Sequence, residues 1–356
     1  MLMTVVRTGP RVVIKDRGRP GHGALGVAPS GAADRGALDR ANALVGNAPE
    51  AAVLECTLGG LRVRFDGPAV VALAGSDARL TVDGVVRESP VSVPAGALVQ
   101  VGTPRVGVRS YLAVRGGIDV ALVLGSRSTD ASGLGPARPA AGDELPVGAE
   151  PGGGGGSGVR LGGGDRPGGG AESGVSAEPG GGAESGVSAE PGGGAEPGVR
   201  DRSGVGEIPD LSGVAAATPA PALGGSDDSP ADRRSRDLST GVLEVDLGPR
   251  DDWFTAGAVA TFLRETYTVT PASDTVGLRL DGPPLDRSRT EELPSEGVVR
   301  GSIQVPPDGK PIIFQADHPV TGGYPVIAVL TPAAADLAAQ LRPGRTVRFT
   351  TAPQPR

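Results

Sequence analysis

The chain has 356 residues and a formal charge of −7, from 34 basic and 41 acidic side chains, which gives no basic face for nucleic acid. Its single cysteine, Cys56, excludes an internal disulfide and fits a reducing compartment. Without an apolar leader or a run approaching about 18 apolar residues, the sequence reads as cytoplasmic, with no membrane segment.

Taken in chain order, "TVVRTG" and "RVVIKD" are β-branched runs on either side of Gly9-Pro10, a pattern that predicts a hairpin. A glycine-rich loop, Asp16 to Asp34, follows. The first helix is predicted over "DRGALDRANALVGN", with Asp34 as N-cap, Leu38, Ala41, Leu44 and Val45 on one face, and Gly46-Asn47 at its end. The segments "AAVLECTLGG", "LRVRF", "AVVALAG", "ARLTVDG", "VVRESPVSVPAG", "ALVQVG" and "VRSYLAVRGG" then recur at the spacing of short strands in a barrel or sandwich. Asp83-Gly84 is a tight-turn pair.

Between Pro151 and Gly198, 21 of 48 residues are glycine, and "PGGGAESGVSAE" begins at Pro167 and again at Pro179, a period of 12. Too little apolar surface is available there to offset ordering entropy, so residues 149–237 read as a disordered linker expanded by duplication. It divides an N-terminal β domain, 1–148, from a C-terminal one, 238–356. The C-terminal part opens with the strand "LEVDLGP". A helix capped by Asp251 or Asp252 follows, with Phe254, Ala258, Phe262 and Leu263 as its inner stripe. Strands return in "VGLRLDG", "VVRGSIQVP", "PIIFQAD", "PVIAVL" and "TVRFT". "TPAAADLAAQLRPG" predicts a helix with Pro332 in its first turn and Gly344 past its end.

Three loop clusters combine polar side chains with glycines at strand ends. The first holds Arg17, Arg19, Ser30 and Asp34. The second, "YLAVRGGIDVALVLGSRSTD", holds Arg115, Gly116, Gly117, Asp119, Ser126, Arg127, Ser128, Thr129 and Asp130. The third holds Ser295, Glu296, Gln304, Asp317, Thr321, Gly322, Gly323 and Tyr324. Turn chemistry accounts for such residues one at a time. Glycine pairs beside Arg115 and beside Thr321 also offer backbone N–H groups to an anion. No phosphate-binding G-x-x-x-x-G-K-[ST] and no G-x-S-x-G elbow occurs. Only His22 and His318 are available as histidines, so no metal site is expected. Cys56 lies in an apolar strand and reads as a core residue. Both methionines fall in the first three residues, so this chain offers no Met-Lys setting for attached biotin.

Together, "DRGRPGHGALGVAPSGAADRGALDRANALVGN", "LECTLGG", "YLAVRGGID", "LGSRSTD", "DWFT", "SDTVGLRLDGP", "SEGVVRGSIQVPPDGKPII" and "TGGYPVIA" resemble the biotin-dependent carboxyltransferase family. That family includes Kip antagonists, the second subunits of allophanate hydrolases, and the C-type subunits of ATP-dependent 5-oxoprolinases; the likeness is greatest to the last. The resemblance implies a mainly β (α+β) fold of two cyclophilin-like β-barrel subdomains with a few short helices. It also implies work beside two partner subunits, one Kip-inhibitor-like and one of the lactam-utilisation type, cleaving 5-oxoproline to glutamate with ATP and magnesium. On this reading Arg115, Glu296, Asp317 and Thr321 are the catalytic candidates. Arg17, Ser30, Asp34, Gly116, Gly117, Ser126, Arg127, Gln304, Gly322, Gly323 and Tyr324 bind substrate or phosphate. Carboxyl transfer from a biotin carried by another chain, and regulatory binding of a Kip-inhibitor-like partner, are the rival expectations.

Overall fold

Alternating side chains set the architecture of the N-terminal half. A computed structural model describes residues 1–150 and 240–352. In the first stretch, β1 (Leu2–Arg7), β2 (Arg11–Lys15), α1 (Arg35–Val45), β3 (Val53–Thr57), β4 (Arg62–Phe65), β5 (Ala69–Gly75) and β6 (Leu80–Val82) follow one another. Then come β7 (Val85–Arg87), β8 (Val91–Val93), β9 (Val99–Val101), β10 (Arg109–Val114) and β11 (Glu144–Pro146). They form a six-stranded sheet, β11-β1-β4-β9-β6-β7, and a five-stranded sheet, β2-β3-β10-β5-β8.

The expected hairpin of β1 and β2 does not form, because the two strands lie in different sheets. Met3 and Val5 of β1, and Val12 and Ile14 of β2, face one shared core from opposite sides. Burying both apolar faces outweighs pairing two neighbouring edges. The five-stranded sheet is covered on its other face by α1, where Ala37, Leu38, Ala41 and Val45 meet Val53, Ala72, Tyr111 and Ala113. Leu44, expected on that inner face, is 41% exposed. Asp34 does cap α1, its carboxylate accepting from Ala37 N at 2.9 Å. Asp83-Gly84 turns β6 into β7, both residues having positive φ.

The second stretch contains β12 (Val242–Leu247), α2 (Ala256–Arg264), β13 (Tyr267–Val269), β14 (Gly277–Asp281), β15 (Glu296–Gly297) and β16 (Ser302–Gln304). It continues with β17 (Ile312–Phe314), β18 (Thr321–Gly322), β19 (Val326–Leu330), α3 (Pro332–Ala338) and β20 (Thr346–Thr351). Seven of these strands close a barrel in the order β12-β19-β16-β17-β14-β13-β20. Closure leaves no free sheet edge, and Phe262 of α2 stacks on Phe349 at 4.3 Å within its core.

The N-cap of α2 is Thr255, which accepts from Ala258 N at 3.0 Å, and not Asp251 or Asp252. Those aspartates begin a separate 3-10 turn that buries Trp253 before the chain extends at Phe254. Helix α3 starts at Pro332 as expected but ends at Ala338, so Gln340 turns toward the N-terminal half. Among the described residues the fold is mainly β, with one closed barrel, several sheets and three short α-helices. Both described stretches belong to one compact unit. The repeat-bearing linker lies outside the described residues. Among the described residues, no helix is long and apolar enough to cross a membrane.

Candidate functional site

Period-2 alternation on β2, β3 and β10 places Arg11, Val13 and Lys15, then Val53 and Glu55, then Arg109, Tyr111 and Ala113 on the face that carries α1. Of its polar members, Lys15 and Arg109 reach the C-terminal half, while Glu55 and Tyr111 pair within the N-terminal half. Lys15 Nζ meets Asp317 Oδ1 at 3.1 Å, with both side chains 2% exposed. Ser30 Oγ donates to the same oxygen at 2.6 Å. Burial pushes the Asp317 carboxyl up, but Lys15, Ser30 and Arg11 outweigh it and hold the group below its ordinary range. Tyr111 OH donates to Glu55 at 2.9 Å and accepts from Asp34 N at 2.8 Å. Burial and the Glu55 charge push the tyrosine well up. Gln340 joins the seam by donating to Asp34 at 2.7 Å and accepting from Val108 N and Arg109 N. Arg109 donates to the carbonyl of Ala339. Loops one and three therefore meet through Ser30 and Asp317.

The second loop is tied to the first. Asp16 accepts from Ser126 Oγ and Ser128 Oγ, each at 2.6 Å, and from Arg127 N at 2.6 Å. Arg19, 1% exposed, pairs with Asp130 at 2.7 Å and donates to Ser128 O. Thr129 Oγ1 donates to Pro136 O, and Arg127 pairs with Asp119 at 2.5 Å. Ser126 and Arg127 thus hold the two loops together. Arg17 reaches out to Asp39 on the exposed flank of α1.

Arg115 lies elsewhere. Its Nε donates to Val45 O at 3.1 Å, at the C-terminal end of α1, whereas Asp34 and Ser30 lie at the other end. An 11-residue helix separates the ends by about 16 Å at about 1.5 Å per residue. The amide of Gly116 donates to Asn47 Oδ1. With φ of +93°, a Cβ on Gly116 would lie 2.3 Å from Gly148 O, so close packing requires the glycine. Gly117 likewise packs on Ala51.

Open space lies on the barrel. A cleft of about 770 Å³ crosses β14, β16 and β17, and Gln304 and Tyr324 line it together with Ile312, Phe314, Arg279 and Lys310. Gln304 Nε2 donates to Tyr324 O at 2.8 Å, fixing the loop that carries the tyrosine. A Cβ on Gly322 would lie 2.3 Å from Gln304 Nε2, so a larger residue there would have to displace the Gln304 amide. Thr321 and Gly323 are exposed on this loop, and Tyr324 is 43% exposed. Glu296 pairs across the short β15–β18 ladder and is gripped by Arg250. Ser295 is exposed.

The structure therefore brings Gln304 and Tyr324 to an open cleft, with Thr321, Gly322 and Gly323 on the segment that leads to the tyrosine, and gathers Ser30, Asp34 and Asp317 in a buried seam. It leaves Arg115, Gly116 and Gly117 apart from both. Lys15, Glu55, Tyr111 and Gln340 are the seam residues the motif reading missed. A lysine and a glutamate inside the apolar runs "RVVIK" and "VLECT", in phase with the helix-covered face, were the available signal. Cys56 is fully buried in the core, and burial pushes its thiol up, away from reactivity.

A model of the carboxyltransferase domain, subdomains A and B, matches residues 25–161 and 210–351. The chain is 32% identical to the 5-oxoprolinase C subunit of Escherichia coli over 350 residues, covering 98% of this chain and 90% of that protein. It is 38% identical to urea amidolyase of Lachancea kluyveri over 132 residues, 36% of this chain and 7% of that protein. The solved urea amidolyase of K. lactis superposes with a TM-score of 0.70 at 26% identity, covering 98% of this chain and 18% of that one.

Proposed function

From its membership of the carboxyltransferase-domain family with subdomains A and B, we propose that this chain is the C-type subunit of an ATP-dependent 5-oxoprolinase. It acts beside two partner subunits, one Kip-inhibitor-like and one of the lactam-utilisation type. The observation that carries this reading is the extent of the match, 98% of this chain against 90% of a 5-oxoprolinase C subunit. The sequence match to urea amidolyase takes in only 36% of the chain.

Resonance makes a lactam carbonyl a weak electrophile. Phosphoryl transfer from magnesium-bound ATP to the lactam oxygen activates the ring carbon. Water then adds and the C–N bond breaks, with nitrogen leaving as the amine. ADP leaves in the phosphoryl transfer, and hydrolysis of the acyl phosphate by a second water gives glutamate and phosphate. This chain contributes the barrel cleft, where Ile312 and Phe314 flank the ring and the Tyr324 loop, braced by Gln304, borders it. Thr321 stands on that loop as a polar group open to solvent. Glu296, held by Arg250, pairs with Gly322 at the start of that loop, and Asp317 stands in the buried seam with Lys15 and Ser30.

The test is ADP formation dependent on 5-oxoproline, measured on this chain alone and on the assembly with its two partner-type subunits. Turnover is expected only in the assembly. An inactive assembly that instead carboxylates urea when given a biotin carrier would overturn the reading in favour of carboxyl transfer. Turnover by the chain alone would overturn the shared mechanism.

A further inference from the structure

The charged groups around the barrel cleft are unequally engaged. Lys310 Nζ donates to Asp281 at 2.7 Å and to Gly282 O at 2.8 Å. Asp274 Oδ1 accepts from the amides of Val276 and Gly277, and Asp308 Oδ1 from that of Lys310. Arg279 is different. It projects from β14 at the cleft, and its guanidinium has no hydrogen bond or ion pair among the described residues. Five N–H donors in a planar fork therefore stand free beside the apolar Ile312 and Phe314.

Resting on the proposed lactam-opening role, we infer that Arg279 is the specificity-determining residue of this cleft and selects a small ring compound that carries a carboxylate. A guanidinium binds a carboxylate through paired N–H···O bonds. The lining is not simply cationic, since Asp274, Asp281 and Asp308 outnumber Arg279 and Lys310. That balance disfavours polyanions and a bare anion alike. It fits a ligand bearing one carboxylate and an N–H group, the carboxylate on Arg279 and the N–H toward the Oδ2 atoms of Asp274 or Asp308. 5-Oxoproline has both groups; urea has N–H groups and no carboxylate. Arg279 thus separates the two substrate types found among the relatives.

The experiment has two arms, both with the full chain. In the first, amide chemical shifts of the chain are followed on titration with 5-oxoproline, 2-pyrrolidinone, which lacks the carboxylate, and urea. Gly277 and Ile312 are expected to shift with 5-oxoproline and to respond at least about tenfold more weakly to the other two. Arg279→Gln should weaken 5-oxoproline binding about tenfold or more and leave 2-pyrrolidinone unaffected, while Arg279→Lys should recover part of the loss. Equal binding by wild type and Arg279→Gln, or no shift at these amides, overturns the inference. The second arm measures KM and kcat in the assembly of all three chains, where Arg279→Gln should raise KM with kcat changed less than about twofold. An active assembly with an unaltered KM also overturns the inference and leaves the lactam-opening role standing. An inactive wild-type assembly with Arg279-dependent binding intact overturns that role and leaves the carboxylate site standing.

Discussion

Arg115 and His318 show how surroundings assign a residue's task. Arg115 follows "YLAV" and precedes two glycines, which from sequence alone reads as a cation at an anion-binding strand end. In the fold its Nε satisfies the carbonyl of Val45, one of the last in α1, where a cation also complements the helix dipole. Arg115→Ala is therefore expected to lower stability by about 1 kcal/mol, read from the denaturant midpoint, with activity of the assembly within about twofold. A tenfold loss of activity at unchanged stability would instead place Arg115 at the chemistry. His318 is 2% exposed and stacks on Phe314, with Nδ1 against Pro319 O. Burial, with Arg35 and Arg300 nearby, lowers its pKa despite Asp317 and the Pro319 carbonyl. The folded chain then binds fewer protons than the unfolded one below about pH 6.5, the ordinary histidine value. This contribution to stability is complete above that pH and is lost as pH falls toward the depressed folded value. Melting temperatures of wild type and His318→Gln between pH 7 and pH 5 should show a shallower decline in the variant.

At the scale of elements, α1 is the connection between the halves. Its first turn is satisfied from two directions: Asp34 caps Ala37 N, and Asp336 of α3 accepts from Arg35 N and Gly36 N, each at 2.9 Å. Arg300 completes the contact, pairing with Asp336 at 2.9 Å and donating to Ala33 O. A carboxylate 300 residues away in sequence thus performs part of the capping. Asp336→Ala should cost about 1–3 kcal/mol, the range for losing charge-assisted bonds to backbone donors. Hydrogen exchange offers a specific check, since the Arg35 and Gly36 amides should lose protection while the barrel strands keep theirs.

For the whole molecule, the pair of Lys15 and Asp317 is the deepest electrostatic contact between the halves. Two charges at 2% exposure have given up their hydration, so the pair specifies the docking more than it stabilises it. Lys15→Met alone should destabilise by about 3–5 kcal/mol, because it leaves Asp317 charged and buried. Lys15→Met combined with Asp317→Leu should recover most of that loss, which a double-mutant cycle in urea measures. Both halves should melt in one transition, as the shared seam requires; two separate transitions in the wild type would show that they fold independently.

Sequence alone determined what depends on neighbours a few residues apart. The Asp34 cap, the Asp83-Gly84 turn, the mainly β class and the burial of Cys56 all follow from local backbone preference or from alternation along one strand. It also brought Gln304, Gly322 and Tyr324 together, because they lie within about twenty residues of one another around two adjoining strands. Tertiary structure decided the rest. Whether β1 pairs with β2 depended on which faces share a core, and Thr255 capped α2 because Trp253 needed burial in its own turn. Lys15 and Arg109 look like interruptions in apolar strands until the Asp317 loop and the residues just past α3 arrive to pair with them, and Glu55 until Tyr111 and the Ala33 amide do. The partners of a buried charge are chosen by three-dimensional packing over about 300 residues of chain, and no spacing rule along the sequence encodes that meeting.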